Sequence, residues 1–338
     1  MRAERPRVAV ITPTYQHVGF VQACIESVIN QTVPDWEMVV IDDGSTDGTA
    51  DVADGIGDPR VRVVRKEHAG LADLRQCYQL GLTMTTAPLV AVLEGDDTWP
   101  ADKLSLQLPL FDDPDVVLSY GKAGLIDAKG RQYATYDRHP RGPVKDNTPV
   151  GSIVGSLASN NFIVAATVIV RREAVERIGG FWQPVAVPYV DHPTWLKLAL
   201  EGQFKHTEAL VGNWRRHSVQ YTTSNAASLG PTATGYLLEI AEIAAEKRLT
   251  AVDRTRVNLT VATDESRRHA HARLGAGRLQ LLSGDWRAAR RTFRGLIDSS
   301  PGRSALMIGL IGWAAAAARL DIEWVFRMTG RLSWPPRG

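Results

Sequence analysis

The sequence predicts an α/β protein with a mixed, mainly parallel sheet and a helical C-terminal extension. Two features of the first hundred residues carry this expectation. Short continuous apolar runs alternate with amphipathic stretches, and a polar or acidic cluster directly follows several of those runs. The third observation is the change beyond residue 234, where strand signals stop and helical periodicity takes over.

Residues 8–11 form a continuous apolar run suited to a strand buried on both faces. Phe20, Val21, Cys24, Ile25, Val28 and Ile29 then recur at helical spacing and give one apolar face to a helix ending near Gln31. Residues 38–41 read as the second strand, and the turn after it offers Ser45, Thr46 and Asp47 as helix N-caps. Residues 61–64, 71–82 and 89–93 read as strand, helix and strand. That rhythm implies parallel pairing through right-handed crossovers. Ligands of open α/β sheets bind beyond the carboxyl ends of the strands. The polar segments 12–16, 42–45 and 94–97 are therefore expected to converge on one crevice.

The middle of the chain is less regular. Residues 116–120 predict a strand, Asp127-Ala128-Lys129-Gly130 a hairpin turn, and 131–149 a loop-rich stretch. Residues 162–170 read as β-rich, 172–178 as a helix stopped by Gly179-Gly180, and 191–201 as a further helix. Residues 218–234, rich in Ser, Thr, Asn, Gly and Pro, read as a mobile loop or linker that could close over a bound donor.

Composition narrows the class. Hydrophobic residues at 44% and charged residues at 22% fit a globular protein with a real core, and a net charge of +2 argues against a nucleic-acid binder. The charge is uneven: from Arg254 onward there are fifteen Arg, no Lys and six acidic residues. Such a stretch suits an anionic membrane surface or partner, and equally a solvated helical surface. Cys24 and Cys77 sit inside apolar patterns, as free thiols of a reducing compartment do, so neither a zinc site nor a disulfide is expected. The charged N-terminus leads straight into a strand without a signal peptide. The expected location is the cytoplasm, extending to the inner face of the membrane. The apolar run 305–320 is shorter than the roughly 20 residues a bilayer span needs and reads as a packed helix.

Two acidic strings carry the chemistry. Asp42-Asp43-Gly44-Ser45 and Glu94-Gly95-Asp96-Asp97 each end an apolar strand. Adjacent carboxylates there are costly unless something positive neutralises them. A hard divalent cation with oxygen ligands, Mg²⁺ or Mn²⁺, does so while still accepting phosphate oxygens. The plainer alternative is that each Asp caps a turn or helix.

Together with Thr12-Pro13-Thr14-Tyr15 and Asp96-Asp97-Thr98-Trp99, these strings resemble the family 2 inverting glycosyltransferases of nonprocessive type, over about residues 8–217. The resemblance implies the GT-A fold, a nucleotide-binding half joined to an acceptor-binding half. It implies that Pro13, Thr14, Tyr15, Asp42 and Asp43 line the nucleoside pocket, with Asp43 on the base. Asp96 and Asp97 then form the metal and ribose site, holding Mn²⁺ or Mg²⁺. His68-Ala69-Gly70-Leu71, followed by Arg75, resembles the segment that approaches base and diphosphate, although the family often has Asn where His68 stands. Gly179-Gly180-Phe181 and then Val190-Asp191-His192-Pro193-Thr194-Trp195 resemble the segment that holds the general base. Asp191 falls on the base and Val190 replaces the usual Glu. A helix N-cap is the structural alternative for Asp191, and a packing role for His192. Trp214-Arg215-Arg216-His217 resembles a closing motif in which the His faces the metal or diphosphate, and the QxxRW motif of processive synthases is absent.

The implied reaction moves one sugar from a nucleotide diphosphate-sugar, with UDP or dTDP as the nucleotide, to a hydroxyl of a glycan, lipid-linked sugar or small molecule. A nucleotidyltransferase would generally open with a Gly-rich phosphate loop where Pro13-Thr14-Tyr15 stands here. A non-catalytic sugar-binding protein is opposed by the intact set Asp43, Asp96, Asp97 and Asp191. The expected partition is a catalytic domain at 1–217, with its nucleotide half at 1–100 and its acceptor half at 101–217. A linker at 218–234 and a helical extension at 235–338 follow. In that extension Gly277, Ala289, Phe293 and Pro301 resemble the second half of a tetratricopeptide repeat. Its helices are the expected surface for membrane contact or homo-oligomer formation.

Overall fold

Continuous apolar runs produce the parallel strands that they predict. The computed structural model describes residues 6–70, 73–137, 145–185, 187–217, 235–258, 273–278, 280–281, 284–299 and 303–320. Strands β1 (Val8–Thr14), β2 (Trp36–Asp42), β3 (Val61–Arg65) and β4 (Leu89–Val92) are joined by helices α1 (Val21–Ile29), α2 (Thr49–Asp54) and α3 (Leu74–Met84). Every residue of β1 and β4 is buried, as strands covered on both faces require. The parallel register pairs Thr14 with Asp42 and Asp42 with Arg65, and it pairs Ile11 with Val92. The carboxyl ends of β1, β2 and β4 thus lie side by side.

The second half of the sheet is mixed. It contains α4 (Lys103–Gln107), β5 (Val116–Ile126), β6 (Gln132–Tyr136), α5 (Val154–Ser159), β7 (Ile169–Arg171), α6 (Arg172–Arg177), α7 (Asp191–Leu198) and β8 (Gln203–Arg215). The strand order is β3-β2-β1-β4-β7-β5-β6, with β8 parallel to β5. β7 runs antiparallel to both β4 and β5. The Asp127–Gly130 turn does join two antiparallel strands, β5 and β6, with the Asp127 N–H donating to the Arg131 carbonyl at 3.0 Å.

Three elements depart from the sequence reading. β5 runs on to Ile126, six residues beyond the predicted end, because its second half gains β6 and β8 as neighbours. The β-rich segment shrinks to the three residues of β7 after a 3₁₀ turn at Ala165–Thr167. Side chains hold that turn: the Trp99 indole donates to the Ala166 carbonyl at 2.9 Å and the Thr167 hydroxyl to the Val164 carbonyl at 2.7 Å. β8 was not anticipated, because its half-buried, polar first turn Lys205-His206-Thr207-Glu208 carries no apolar run.

The core of this unit lies between the sheet and its helices. Val10, Met38, Val40 and Ala91 from the strands meet Cys24, Ile25 and Val28 of α1, all at most 2% exposed. Each fully buried aliphatic side chain there contributes roughly 1.5–3 kcal/mol. Cys24 and Cys77 are buried and free.

The chain divides into two compact units, Met1–Arg215 with Glu239–Val257, and Arg216–Leu238 with Asn258–Gly338. Residues 239–257, which include most of α8 (Gly235–Glu246), thus belong with the sheet, and Val252 packs on Gly151 while Glu239 pairs with Lys197 of α7 at 3.1 Å. The second unit is helical, with α9 (Trp286–Ser299) and α10 (Arg303–Ala318) built around Phe293, Leu281, Ala289 and Leu296. Gly277 does sit against Phe293, where an added Cβ would come within 2.8 Å of the ring, whereas Pro301 lies outside the described residues. Residues 218–234 also lie outside them. Among the described residues no helix is long and apolar enough to cross a membrane.

Candidate active site

Parallel register brings the polar segments together. The Asp43 N–H donates to the Thr14 carbonyl at 2.9 Å, and the Gly95 N–H to the Pro13 carbonyl at 3.1 Å. Gly95 is required by this approach: a Cβ there would lie 2.4 Å from Thr14 Oγ1. Pro13 and Thr14 are buried at the end of β1, and Tyr15 emerges from it 41% exposed.

The Asp42-Asp43 end is held by local bonds and by one distant cation. Asp42 Oδ2 accepts from the Ser45 N–H at 3.0 Å, which tightens the turn, while its Oδ1 is buried without a hydrogen-bond partner. Asp43 is paired with Lys66, and its Oδ2 lies 2.8 Å from His68 Nδ1. His68 stacks on Tyr15 with ring centroids 4.1 Å apart and planes 16° off parallel. Gly44, at φ +76°, passes against the His68 backbone, where a Cβ would come within 2.7 Å of its nitrogen. Tyr15, Asp43 and His68 therefore form one aromatic and acidic corner. The helix that follows is capped by neither Ser45 nor Thr46. Gly48 is its N-cap at φ 94°, and Asp47 one residue earlier accepts from the Thr49 N–H at 3.0 Å.

The Glu94-Gly95-Asp96-Asp97 end is different. Glu94, Asp96 and Asp97 place one carboxylate oxygen each within 4.8 Å of one another. Burial, then the charges of Asp96 and Asp191, push the Glu94 carboxyl up to about 8. Burial, then the charges of Asp96 and Glu94, raise Asp97 well above the carboxylate range. Tyr78 donates to Glu94 Oε1 at 3.2 Å. Arg215, at the end of β8 and 3% exposed, is the nearby cation. Its N–H donates to Asp97 Oδ1 at 2.8 Å and its Nε to the Asp96 carbonyl at 2.5 Å, while Nη1 reaches the carbonyls of Asp127 and Ala128. The guanidinium thus braces backbone oxygens, and its charge offsets part of the repulsion among the carboxylates. Two buried carboxylates and one half-buried, close enough to share an ion, fit a hard divalent cation.

Asp191 is the first residue of α7. Val190 holds the cap position without a side-chain cap bond, so the capping reading of Asp191 is corrected. Burial raises its carboxyl, and backbone N–H bonds at the helix start and the Asn161 amide oppose that rise. Asn161 Nδ2 donates to Asp191 Oδ2 at 2.7 Å. The charge of Asp191 acts on Glu94 and on Tyr78, so the helix start and the acidic trio share one electrostatic environment. His192 is buried with Nε2 at 2.7 Å from the Leu157 carbonyl, a packing position.

Arg75 and His217 are the other two expected residues. Arg75 is exposed on α3, and its backbone N–H donates to Gln183 Oε1 at 2.9 Å. His217 is buried and falls in the second unit, not in the unit that carries the trio. Sequence reasoning missed Lys66, Glu94 as a third ligand, Asn161 and Arg215. Glu94 was legible as part of its string, whereas the others act across long separations.

The pattern of Glycosyl transferase family 2 matches residues 9–179. A Bacillus subtilis protein described as a teichuronic acid biosynthesis glycosyltransferase, TuaG, is 31% identical over 201 residues, covering 59% of this chain and 74% of that protein. The Escherichia coli UDP-Glc:alpha-D-GlcNAc-diphosphoundecaprenol beta-1,3-glucosyltransferase WfgD is 31% identical over 121 residues, 36% of this chain and 47% of that one. Among solved structures, Staphylococcus aureus TarS 1-349 in complex with UDP-GlcNAc aligns at TM-score 0.57 and 17% identity, covering 98% of this chain and 93% of that one. The mannosyltransferase PcManGT from Pyrobaculum calidifontis, in complex with GDP-Man and Mn²⁺, aligns at TM-score 0.56 and 20% identity, covering 95% and 88%. The fold is GT-A, with its mixed, mainly parallel sheet. On the family match and the relative in Bacillus, the chain belongs to glycosyl transferase family 2 and is a glycosyltransferase.

Proposed function

We propose that this chain transfers a single sugar from a UDP- or dTDP-sugar to an acceptor hydroxyl with inversion at the anomeric carbon, using Asp191 as the base. The observation that carries the reading is the close group Glu94, Asp96 and Asp97, with Asp191 near enough for its charge to act on Glu94. Tyr15 and His68 offer a stacked aromatic surface to the nucleobase, and Asp43 an acceptor for its N–H groups. Lys66 pairs with that carboxylate. Arg75 is assigned to the diphosphate as a bidentate clamp.

Glu94, Asp96 and Asp97 would hold Mn²⁺ or Mg²⁺, which supplies positive charge to the diphosphate as it leaves. Arg215 keeps the Asp96-Asp97 backbone in place. Asp191 takes the proton of the acceptor hydroxyl as its oxygen attacks the face opposite the leaving nucleotide. Asn161 donates to Asp191 Oδ2 and orients the carboxylate. One displacement inverts configuration, and no sugar–enzyme bond forms.

Incubating the chain with α-linked UDP- and dTDP-sugars, Mn²⁺ or Mg²⁺ and a panel of sugar acceptors tests this, with the product anomer read by proton coupling constants. A β-linked product that requires the metal is expected. An α-linked product, or turnover unaffected by chelator, would overturn the proposal.

A further inference from the structure

The second unit carries a surface that the transfer reaction does not use. α10 reverses the usual placement of large and small apolar residues. Its inward positions Gly309, Gly312, Ala315 and Ala316 are small, and a Cβ on Gly312 would lie 2.3 Å from the Phe293 ring. Its large side chains point outward, with Met307 57%, Leu310 45% and Ile311 39% exposed. Spaced i, i+3, i+4, these three share one helical face, which exposed Ala314 continues.

α9 shows the same segregation in charge. Arg287, Arg290, Arg291 and Arg294, spaced i, i+3, i+4, i+7, are all exposed, opposite buried Ala289, Phe293 and Leu296. Asp298 is the one acidic residue of that helix and pairs with Arg294 at 3.3 Å, and α10 has none. The two faces adjoin. The Arg290 guanidinium sits 5.4 Å from the centroid of Trp313, which lies one turn beyond Leu310 on α10. The order across the surface is arginine, tryptophan, then aliphatic.

We infer that this surface docks on an anionic lipid membrane, with α10 lying in the plane of the interface. An apolar helix face sinks to the acyl boundary, arginines reach phosphates, and tryptophan prefers the level between them. The exposed Arg319 follows α10 and adds a cation at the end of the apolar row. A second copy of the chain is a poorer occupant. A two-fold interface is self-complementary. The described part of the second unit offers Asp285 and Asp298 as its carboxylates, too few to face the arginines of another copy. The inference does not rest on the transfer mechanism, because none of these residues belongs to the catalytic unit.

Co-sedimentation of the full chain with vesicles tests it, using phosphatidylcholine alone and with about 30 mol% phosphatidylglycerol, enough to give the negative surface potential of an anionic leaflet. Binding to the mixed vesicles, and at least about tenfold weaker binding to the neutral ones, is expected. Arg287→Gln with Arg291→Gln should weaken the anionic binding about fivefold per arginine. Leu310→Ser with Ile311→Ser should weaken it at any charge. Both pairs are exposed, so unchanged melting temperature and nucleotide binding are expected to show that the fold survives. Equal binding to both vesicles, no binding to either, or arginine variants that bind like the parent would overturn the inference. So would a dimer in sedimentation equilibrium that the Leu310/Ile311 variant dissociates while the parent ignores vesicles.

Discussion

Two acidic strings end neighbouring strands of one sheet, yet they settle their charge in opposite ways. At the end of β2, Asp43 has a lysine and a histidine within reach, and Asp42 spends one oxygen on its own turn. Beyond β4, Glu94, Asp96 and Asp97 crowd within 4.8 Å, and Arg215 spends three of its bonds on backbone carbonyls. Similar strings thus yield one carboxylate paired with a lysine and a close group of three carboxylates. The first suits recognition of a neutral nucleobase, which needs a fixed acceptor rather than an ion. The second suits a divalent cation, which takes the place of the protons that the raised carboxyl groups otherwise hold. Asp191 is a third case, half-buried and steadied by an amide and backbone N–H groups.

The largest expected effect tests that third case. Asp191→Asn keeps volume but cannot take a proton, so transfer should fall by roughly 10²–10⁴-fold. Because Asp191 is the first residue of α7 rather than its cap, the melting temperature should move little. Turnover near the parent value would remove Asp191 as base. Next in size is the metal-facing cluster. Asp97→Ala should lower nucleotide diphosphate affinity in Mn²⁺ by at least about 100-fold, the upper end of what even indirect disturbance of a metal site costs. Calorimetry with and without EDTA reads this, and an affinity that ignores both would make the trio structural.

A smaller effect with opposite signs separates the two strings directly. In metal-free protein Asp97→Asn removes repulsion among buried carboxylates and should raise the melting temperature. Asp43→Asn leaves Lys66 without its carboxylate and should lower stability by about 1–3 kcal/mol. Thermal melts of the two variants side by side decide the matter. Shifts of the same sign would mean that the strings do not differ in charge compensation as described.

How much of this was legible follows from sequence separation. The strands of the parallel half were visible because burial on both faces writes itself as a continuous apolar run, as at β1 and β4. The meeting of residues 12–16, 42–45 and 94–97 followed, since parallel strands end on one side. β8 left no such trace, because much of it is half-buried and polar. With β8 went Arg215, whose bond to Asp97 spans 118 positions. Lys66 sits 23 positions from Asp43 and Asn161 30 from Asp191, so no local spacing marks either pair. Types of residue at strand ends can be read from one sequence. The partners that set their charge come from elsewhere in the chain.

The smallest predicted effect concerns one of those partners. Asn161 donates to Asp191 Oδ2, a bond that favours the ionised carboxylate against a burial that disfavours it. A base must be unprotonated to act. The rate should therefore fall as pH drops through the raised pKa, and the acid limb of kcat/KM should lie above the ordinary carboxylate range. Asn161→Ala removes an opposing bond and lets burial act more fully, so the limb should move to higher pH. A hydrogen bond to a charged group is worth about 1.5–3 kcal/mol, which sets an upper bound on the shift of roughly one to two pH units. Well above the limb the base is ionised in both proteins, and there the rate should differ only about two- to fivefold, from looser orientation of the carboxylate. The profile, not the rate at one pH, is therefore the measurement. A purely structural role would lower the whole profile without moving its limb, and that outcome would leave Asp191 steadied by its backbone N–H groups alone.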